Sequence, residues 1–248
     1  MARTALFGAT GRLGTAMRSV CPGMLCFSRS GGDGTTGADL ARTAPESLLQ
    51  GEVAAAFNCA SMSSTTVCGK NPAHAFIVNS LWPSRLALFC REHGIRLVHI
   101  STDLVWSGGT PPYRAKSPGV PMSIYGWTKL LGDRGVMRAD PSALIVRTSV
   151  LVGDVGAENP TFSEDILSGR AKSFYADSIR HHTPIVPFAK TLLRLAAENT
   201  AGIVLAASPN AQCRLSYATG LIPDPEPCLA PRGVPKNLTL LPDVPIGF

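Results

Sequence analysis

"TALFGATGRLG", residues 4–14, is the stretch that decides the fold. Thr4 to Phe7 read as a short buried strand, and Leu13 to Val20 carry the apolar spacing of a helix. Between them stand Gly8, Gly11 and Gly14. Glycine lets the backbone turn sharply and lets a pyrophosphate come close to main-chain N–H groups, while the helix N-terminus adds a partial positive charge. Strand, glycine turn and helix are the context that a phosphate cradle requires. The spacing is G-x-x-G-x-x-G rather than G-x-G-x-x-G, and the alternative is a plain βα turn that holds no ligand.

Outward from this unit the pattern repeats. MLCFS (24–28), VAAAFNCA (53–60), RLVHIS (96–101) and ALIVRTS (143–149) read as buried strands. Helices are predicted over 73–92 and 123–137. Such alternation predicts βα units around a parallel sheet, hence an α/β, Rossmann-type doubly wound fold. Regularity lapses after Ser149. Residues 150–182 are loop-rich with one short helix near 162–168. An amphipathic helix (187–199) and an apolar strand (202–208) then return to the sheet. From Pro209 the chain is rich in proline and predicts an irregular cap. The expected division is a dinucleotide-binding domain over 1–149, completed by 183–208, and a small C-terminal substrate-binding lobe made of 150–182 and 209–248.

The 248 residues are 45% hydrophobic and 16% charged. They contain no apolar run of about 18 residues, so no membrane span is expected. The N-terminus lacks a charged-then-apolar leader, which places the expected protein in the cytoplasm. Seven scattered cysteines, without a C-x-x-C pair, read as free thiols in a reducing compartment. No metal site is expected. The net charge is +6, but Lys and Arg are spread thinly. That argues against nucleic acid and for small polyanions such as dinucleotides or nucleotide sugars.

The second strand ends in Ser28-Arg29-Ser30, where the adenosine ribose of a dinucleotide would lie. An acid there suits NAD, and a base accommodates the 2′-phosphate of NADP. No acid is present, so Arg29 with Ser28 predicts NADP(H). The alternative is a solvated surface arginine.

A second stretch, "STDLVWSGG" (101–109), puts Ser101, Thr102 and Asp103 at the end of an apolar strand. Carboxyl ends of parallel strands are where α/β folds bind ligands. Tyr125 and Lys129 follow, four apart on one helix face. A phenol is a poor acid at neutral pH, and a neighbouring ammonium stabilises phenolate. A hydroxyl at the strand end then holds a carbonyl oxygen beside that phenol.

Six stretches in this order carry a resemblance: GATGRLG, FNCAS (57–61), VNSLWPSRLA (78–87), LVHISTDLVWSGG (97–109), PMSIYGWTKLLGD (121–133) and LIVRTSVLVG (144–153). The chain resembles the extended short-chain dehydrogenase/reductases, and within them the dTDP-4-dehydrorhamnose reductase-like, sugar-nucleotide reductase family. The resemblance implies a catalytic Thr102, Tyr125 and Lys129, with Lys129 also holding the nicotinamide ribose. It implies cofactor contacts at Gly8, Thr10, Gly11, Arg12, Leu13, Gly14, Ser28, Arg29, Asp39, Leu40, Cys59, Ala60, Ser61, Asn79, Tyr125 and Lys129. It implies substrate contacts at Ser101, Thr102, Asp103, Val105, Arg147 and Val150. Ser101 should point away from Thr102, because strand side chains alternate. Asn79 has a structural alternative, Asp103 either places substrate or caps the turn, and Arg147 either meets ligand or forms a salt bridge.

Three departures bear on the substrate. The part after the sixth strand is short for the family, Val150 stands where an aromatic often follows R-T-S, and loop 30–37 is rich in glycine. The expected function is an NADP-dependent reductase of a keto group, foremost a 4-keto-6-deoxy nucleotide sugar. The alternatives are a reductase or epimerase of another carbonyl, and a non-catalytic NADP-binding regulatory subunit. The expected partner is a small molecule, and a homodimer is compatible with the resemblance.

Overall fold

The elements of the computed structural model, which describes residues 3–156 and 160–247, run β1 (Arg3–Phe7), α1 (Arg12–Val20), β2 (Leu25–Ser28), β3 (Thr36–Gly37), α2 (Pro45–Leu48), β4 (Val53–Asn58), α3 (Thr65–Lys70), α4 (Pro72–Phe76), a π-helical turn (Ile77–Leu81) and α5 (Trp82–Glu92). Then come β5 (Arg96–Thr102), α6 (Ile124–Ala139), β6 (Leu144–Thr148), β7 (Val150–Val152), α7 (Phe162–Leu167), β8 (Ser173–Tyr175), β9 (Ile179–Pro184), α8 (Ile185–Ala197), β10 (Gly202–Ala207), β11 (Ala211–Cys213), α9 (Arg214–Thr219), β12 (Glu226–Cys228) and β13 (Val244–Pro245). Residues 157–159 and 248 of the expected lobe, and residues 1–2 of the expected first domain, lie outside the described residues.

Eight strands form one sheet in the order β13-β10-β6-β5-β4-β1-β2-β3. Its ladders are parallel throughout. The order turns back on itself at β1, which pairs with β2 on one side and β4 on the other. This is the doubly wound Rossmann-type arrangement, and its ligand crevice lies at the carboxyl ends beside β1.

Both faces of the sheet are covered, which is why its strands read as near-continuous apolar runs. Leu6, Val98 and Val146 pack with Leu13 and Met17 of α1 and Phe188, Leu192 and Leu195 of α8. On the other face Phe7, Leu97 and Ile145 pack with Trp82, Leu86 and Cys90 of α5 and Val136 of α6. Phe7 stacks on Phe27 with ring centroids 4.9 Å apart and meets Trp82 edge-on at 5.3 Å.

Two elements differ from the sequence reading. The helix expected over 73–92 is interrupted by the π turn at 77–81, which carries Asn79. Apolar periodicity does not reveal a single widened turn, and such turns gather at functional sites. The proline-rich tail is also not entirely a cap. Val244 and Pro245 pair with Ala206 and Ala207 and form the edge of the main sheet, where a proline lacking an N–H is tolerated. Asp243 fixes this return by accepting the Leu205 N–H at 2.9 Å. Beyond the main sheet, β11, β9 and β7 form a three-stranded sheet, and β12 pairs with β8.

Candidate active site

The glycine turn closes as its residue types require. Gly8 sits at φ +80°, and a Cβ there would stand 2.7 Å from the Ala60 nitrogen. A Cβ on Gly14 would stand 2.7 Å from the Ala9 Cα and nearer still to the Gly8 carbonyl oxygen. The β4 loop is thus pressed against the turn, with Cys59 donating its N–H to the Phe7 carbonyl at 3.0 Å. Helix α1 has no side-chain cap at Gly11. The N–H groups of Arg12, Leu13 and Gly14 find no backbone acceptor among the described residues. A row of free donors at a helix N-terminus fits a pyrophosphate. Thr10 is half-buried beside it and Arg12 is exposed, whereas the Leu13 side chain belongs to the core and offers only its N–H.

Arg29 stands exposed at the end of β2 and forms no ion pair among the described residues. Ser28 departs from its expected role. It is buried, its hydroxyl bonds Thr35 Oγ1 at 2.7 Å and accepts the Gly31 N–H at 3.1 Å, so it ties down the glycine-rich loop. Asp39 is exposed, accepts the Ala41 N–H at 3.1 Å and faces Arg42 at 3.7 Å. Leu40 packs against the second core layer.

Asn79, expected to touch the cofactor, is a clamp instead. Its Oδ1 accepts from Ser61 Oγ at 3.0 Å and from the Met62 N–H at 2.9 Å. Its Nδ2 donates to the Met62 carbonyl and to Thr128 Oγ1, each at 3.1 Å. The amide is buried and fully used, so it binds the β4 loop to α6 and leaves nothing for a ligand.

This clamp brings Ser61 beside Tyr125. The phenol lies close to the hydroxyls of Ser61 and Thr102, so three hydroxyls from three elements gather at the end of β5. Burial is the largest influence on the phenol and pushes its pKa up to about 12; Ser61 and Thr102 pull it down, and the Asp103 charge pushes it further up. The ammonium was expected to depress this pKa. It does not, because Lys129 lies deeper and spends two N–H groups elsewhere. Nζ donates to the Ile100 carbonyl at 2.6 Å and meets His99 Nε2 at 3.2 Å. Burial lowers the Lys129 pKa to about 8, opposed by Asp133 and Cys59. His99 is itself fully buried, and burial followed by the Lys129 charge holds its pKa well below 6.5. It is neutral and anchored on its other side by Asn58 at 3.1 Å.

The expected substrate contacts divide. Thr102 faces the site, its Oγ1 also accepting the Leu104 N–H at 3.2 Å and so capping the turn after β5. Asp103 neither caps that turn nor stands free. Arg180 grips both its carboxylate oxygens, and Ser149 Oγ donates to Oδ2. Ser101 points to the opposite side of β5, where its hydroxyl is buried without a partner among the described residues. Val105 is fully buried in a core cluster with Trp106, Tyr113 and Leu240. Arg147 donates from Nε to Asp133 at 2.9 Å and from Nη1 to the Ala115 carbonyl at 3.1 Å, and lies 5.1 Å from the Trp106 ring centroid. Ser101, Val105 and Arg147 are therefore corrected from substrate contacts to parts of the interior. Val150 is half-buried on β7, paired with His182.

Sequence reasoning missed Arg180, His99 and Asp133. Arg180 stands 77 residues from its partner, and no local spacing links them. The available signal was the run IRHHTP, where charged and imidazole side chains stand in a strand that the structure buries.

A cavity of about 210 Å³ opens beside these groups. Its walls include Leu104 and Ser123 next to the hydroxyl triad, Tyr175 and Arg180 from 150–182, and Arg214 and Val234 from 209–248.

Comparison with known proteins places this geometry. The family model described as RmlD substrate binding domain matches residues 2–219. The dTDP-4-dehydrorhamnose reductase of Mycobacterium tuberculosis is 30% identical over 217 residues, covering 83% of this chain and 69% of that protein. The methionine adenosyltransferase 2 subunit beta of Xenopus tropicalis is 35% identical over 98 residues, covering 40% of this chain and 29% of that protein. The crystal structure of dTDP-4-dehydrorhamnose reductase from Bacillus anthracis in complex with NADP has a TM-score of 0.82 at 20% identity, covering 98% of this chain and 90% of that one. With a family model matched over residues 2–219 and a relative 30% identical over 217 residues, the chain belongs to the RmlD substrate binding domain family, a family of NAD(P)-dependent oxidoreductases of the short-chain dehydrogenase type.

Proposed function

We propose that this chain is an NADP-dependent reductase of a ketone, and that its substrate is a 4-keto-6-deoxy nucleotide sugar. The observation that carries the reading is the convergence of Tyr125, Thr102 and Ser61 at the carboxyl end of β5, beside the open N–H groups of the glycine turn. A bound nicotinamide cofactor supplies the hydride. The chain's own residues do the rest. Tyr125 keeps its proton at neutral pH, the form a proton donor needs, and delivers it to the carbonyl oxygen as charge builds there. Thr102 and Ser61 orient that oxygen. Lys129 keeps one N–H for the ribose. The test is NADPH oxidation with a panel of keto-sugar nucleotides and simple ketones. Turnover of a keto-sugar nucleotide supports the reading, and turnover of nothing while NADPH binds overturns it.

A second reading follows from the Xenopus relative, whose name is that of a subunit. A stable partner enzyme recovered by pull-down, together with no turnover, favours it. The placement in the cytoplasm rests on seven thiols that are all free. No helix among the described residues is long and apolar enough to cross a membrane. A homodimer is supported by Ile124, Trp127 and Leu131, exposed along α6, and light scattering reads it.

Cofactor choice rests on Arg29. A charge-assisted pair with the 2′-phosphate contributes about 1.5–3 kcal/mol, so NADPH should bind roughly tenfold or more tighter than NADH. Arg29→Ala should close that gap in a titration; equal affinities in the unmutated protein would refute the assignment.

Lys129 sets a pH dependence. Its pKa of about 8 keeps the ammonium charged below pH 8 and neutral above. The ratio kcat/KM for NADPH reports the free enzyme, so it should be flat in the acid range and fall on the alkaline side near pH 8. Lys129→Arg should remove that limb, because guanidinium does not titrate there. A limb that stays in place belongs to another group.

A further inference from the structure

Lys129 is held from two directions by one strand. Its Nζ donates to the Ile100 carbonyl at 2.6 Å and meets Nε2 of His99, which precedes Ile100 on β5, at 3.2 Å. Asn58 stands beside His99 as its register partner on the neighbouring strand β4. The end of the Asn58 amide lies 3.1 Å from His99 Nδ1. Lys129, His99 and Asn58 are all buried. Asn58 Oδ1 has no partner among the described residues.

An ammonium can only donate, so its bond to His99 needs a bare Nε2. A neutral ring carries one proton, which then sits on Nδ1 and must find an acceptor. The group at Nδ1 is the Asn58 amide. Its oxygen and nitrogen ends have the same shape, and a half-turn about the last side-chain bond exchanges them. With Oδ1 toward the ring, the Nδ1–H is received by the oxygen that otherwise lacks a partner. An imidazolium does not suit this position, because it would turn a second N–H against the ammonium. Burial, and then the Lys129 charge, hold the His99 pKa well below 6.5. Asp133 Oδ1, 4.0 Å from Nε2, is too distant to bond it, and the other Asp133 oxygen is committed to Arg147.

Resting on the reductase reading, we infer that His99 is a positioning residue for Lys129, receiving one N–H at Nε2 while Asn58 fixes the ring tautomer. Together with the Ile100 carbonyl it leaves the third Lys129 N–H for the cofactor ribose, in a fixed direction. Without the second acceptor the ammonium turns about its last bond, and that orientation is lost. The bond to His99 also favours the charged form, so it keeps Lys129 protonated in an interior that opposes charge. The groups around Lys129 leave the range near pH 8 to it. Burial pushes Cys59 and Tyr125 each up to about 12, His99 lies far below, and Asp133 is paired with Arg147.

The experiment joins two measurements. Isotope-edited NMR of the histidine ring nitrogens at neutral pH reads the tautomer, with His99 assigned by the signal that His99→Gln removes. NADPH titration on either side of pH 8 is then made with unmutated, His99→Gln and His99→Leu forms. The expected ring has a protonated Nδ1 and a bare Nε2, the reverse of the tautomer that free histidine prefers. His99→Leu should weaken NADPH binding by about tenfold or more. It should also start the alkaline loss of binding below pH 8, because Lys129 without this acceptor releases its proton sooner. His99→Gln, whose amide oxygen reaches the place of Nε2, should keep the onset near pH 8 and recover most of the affinity. A merely structural role would lower Tm and leave the onset where it was. If the His99 proton sits on Nε2, if folded His99→Leu keeps the unmutated affinity and onset, or if His99→Gln behaves as His99→Leu, the inference is wrong. The tautomer is read on the unmutated protein, so it decides even where His99→Leu fails to fold. The two readings fail separately. Ketone reduction with the proton on Nε2 removes the positioning role and keeps the reductase, whereas a bare Nε2 and a shifted onset without reduction of any ketone do the reverse.

Discussion

Tyr125→Phe should lower turnover by about 10²–10⁴-fold, the usual worth of general acid catalysis, while leaving NADPH affinity nearly unchanged. The substitution removes one oxygen. The ring stays buried against Cys68, Ala75 and Leu104, so the fold loses little. What disappears is the phenolic O–H that lies beside Thr102 and Ser61 and carries a proton at neutral pH. Thr102→Val should reduce turnover less, because that hydroxyl orients the oxygen and transfers no net proton. Lys129→Met should lower both turnover and cofactor affinity. Stopped-flow NADPH oxidation separates these outcomes. A Tyr125→Phe protein that retains full turnover would remove the phenol from the mechanism.

Asp133→Asn should cost about 3–5 kcal/mol of stability, the range for breaking a buried ion pair by removing one partner. In a chain of this size that corresponds to a fall in Tm on the order of 10 °C. Asp133 and Arg147 are almost completely inaccessible, and their 2.9 Å bond lies in the interior between α6 and β6. The neutral amide would leave the guanidinium charged and uncompensated. A second effect is expected on the site itself. Asp133 raises the Lys129 pKa, so its loss should move the alkaline limb of kcat/KM below pH 8. The double variant Asp133→Asn/Arg147→Met should recover part of the Tm and none of the shift in the limb. Thermal denaturation and a pH profile measure the two separately. An unchanged Tm would mean that the pair contributes no net stability.

Much of the fold was written in local pattern. The strand–glycine–helix order at residues 4–20 needs only neighbours in sequence: small residues where a Cβ would meet Ala60 or Ala9, and apolar residues on one helix face. Thr102 at a strand end and Tyr125 with Lys129 on one helical turn were legible for the same reason, since periods of 2 and 3.6 place side chains without knowledge of the rest of the chain. The resemblance to a family of reductases rested on these same stretches.

Tertiary structure decided what each polar group is spent on. Sequence left Asn79, Arg147 and Asp103 each between ligand contact and a structural role, and assigned Ser28 to the cofactor. Each finds a partner distant enough that no spacing announces it: Asn79 with Thr128, Arg147 with Asp133, Asp103 with Arg180, Ser28 with Thr35. Buried polar groups must be paired, so packing consumes them before a ligand arrives. The same packing reversed the expected charge effect at Tyr125, because Lys129 sank to the Ile100 carbonyl and burial outweighed it. Arg214 shows the converse. In sequence it is one basic residue in an unremarked helix. The meeting of α9 with Phe162 and Tyr175 places it between two rings, without an ion pair among the described residues. Local sequence thus determined which residues stand at strand ends and on helix faces, while the pairing of buried charges, a property of the whole chain's packing, determined which of them remain free to act.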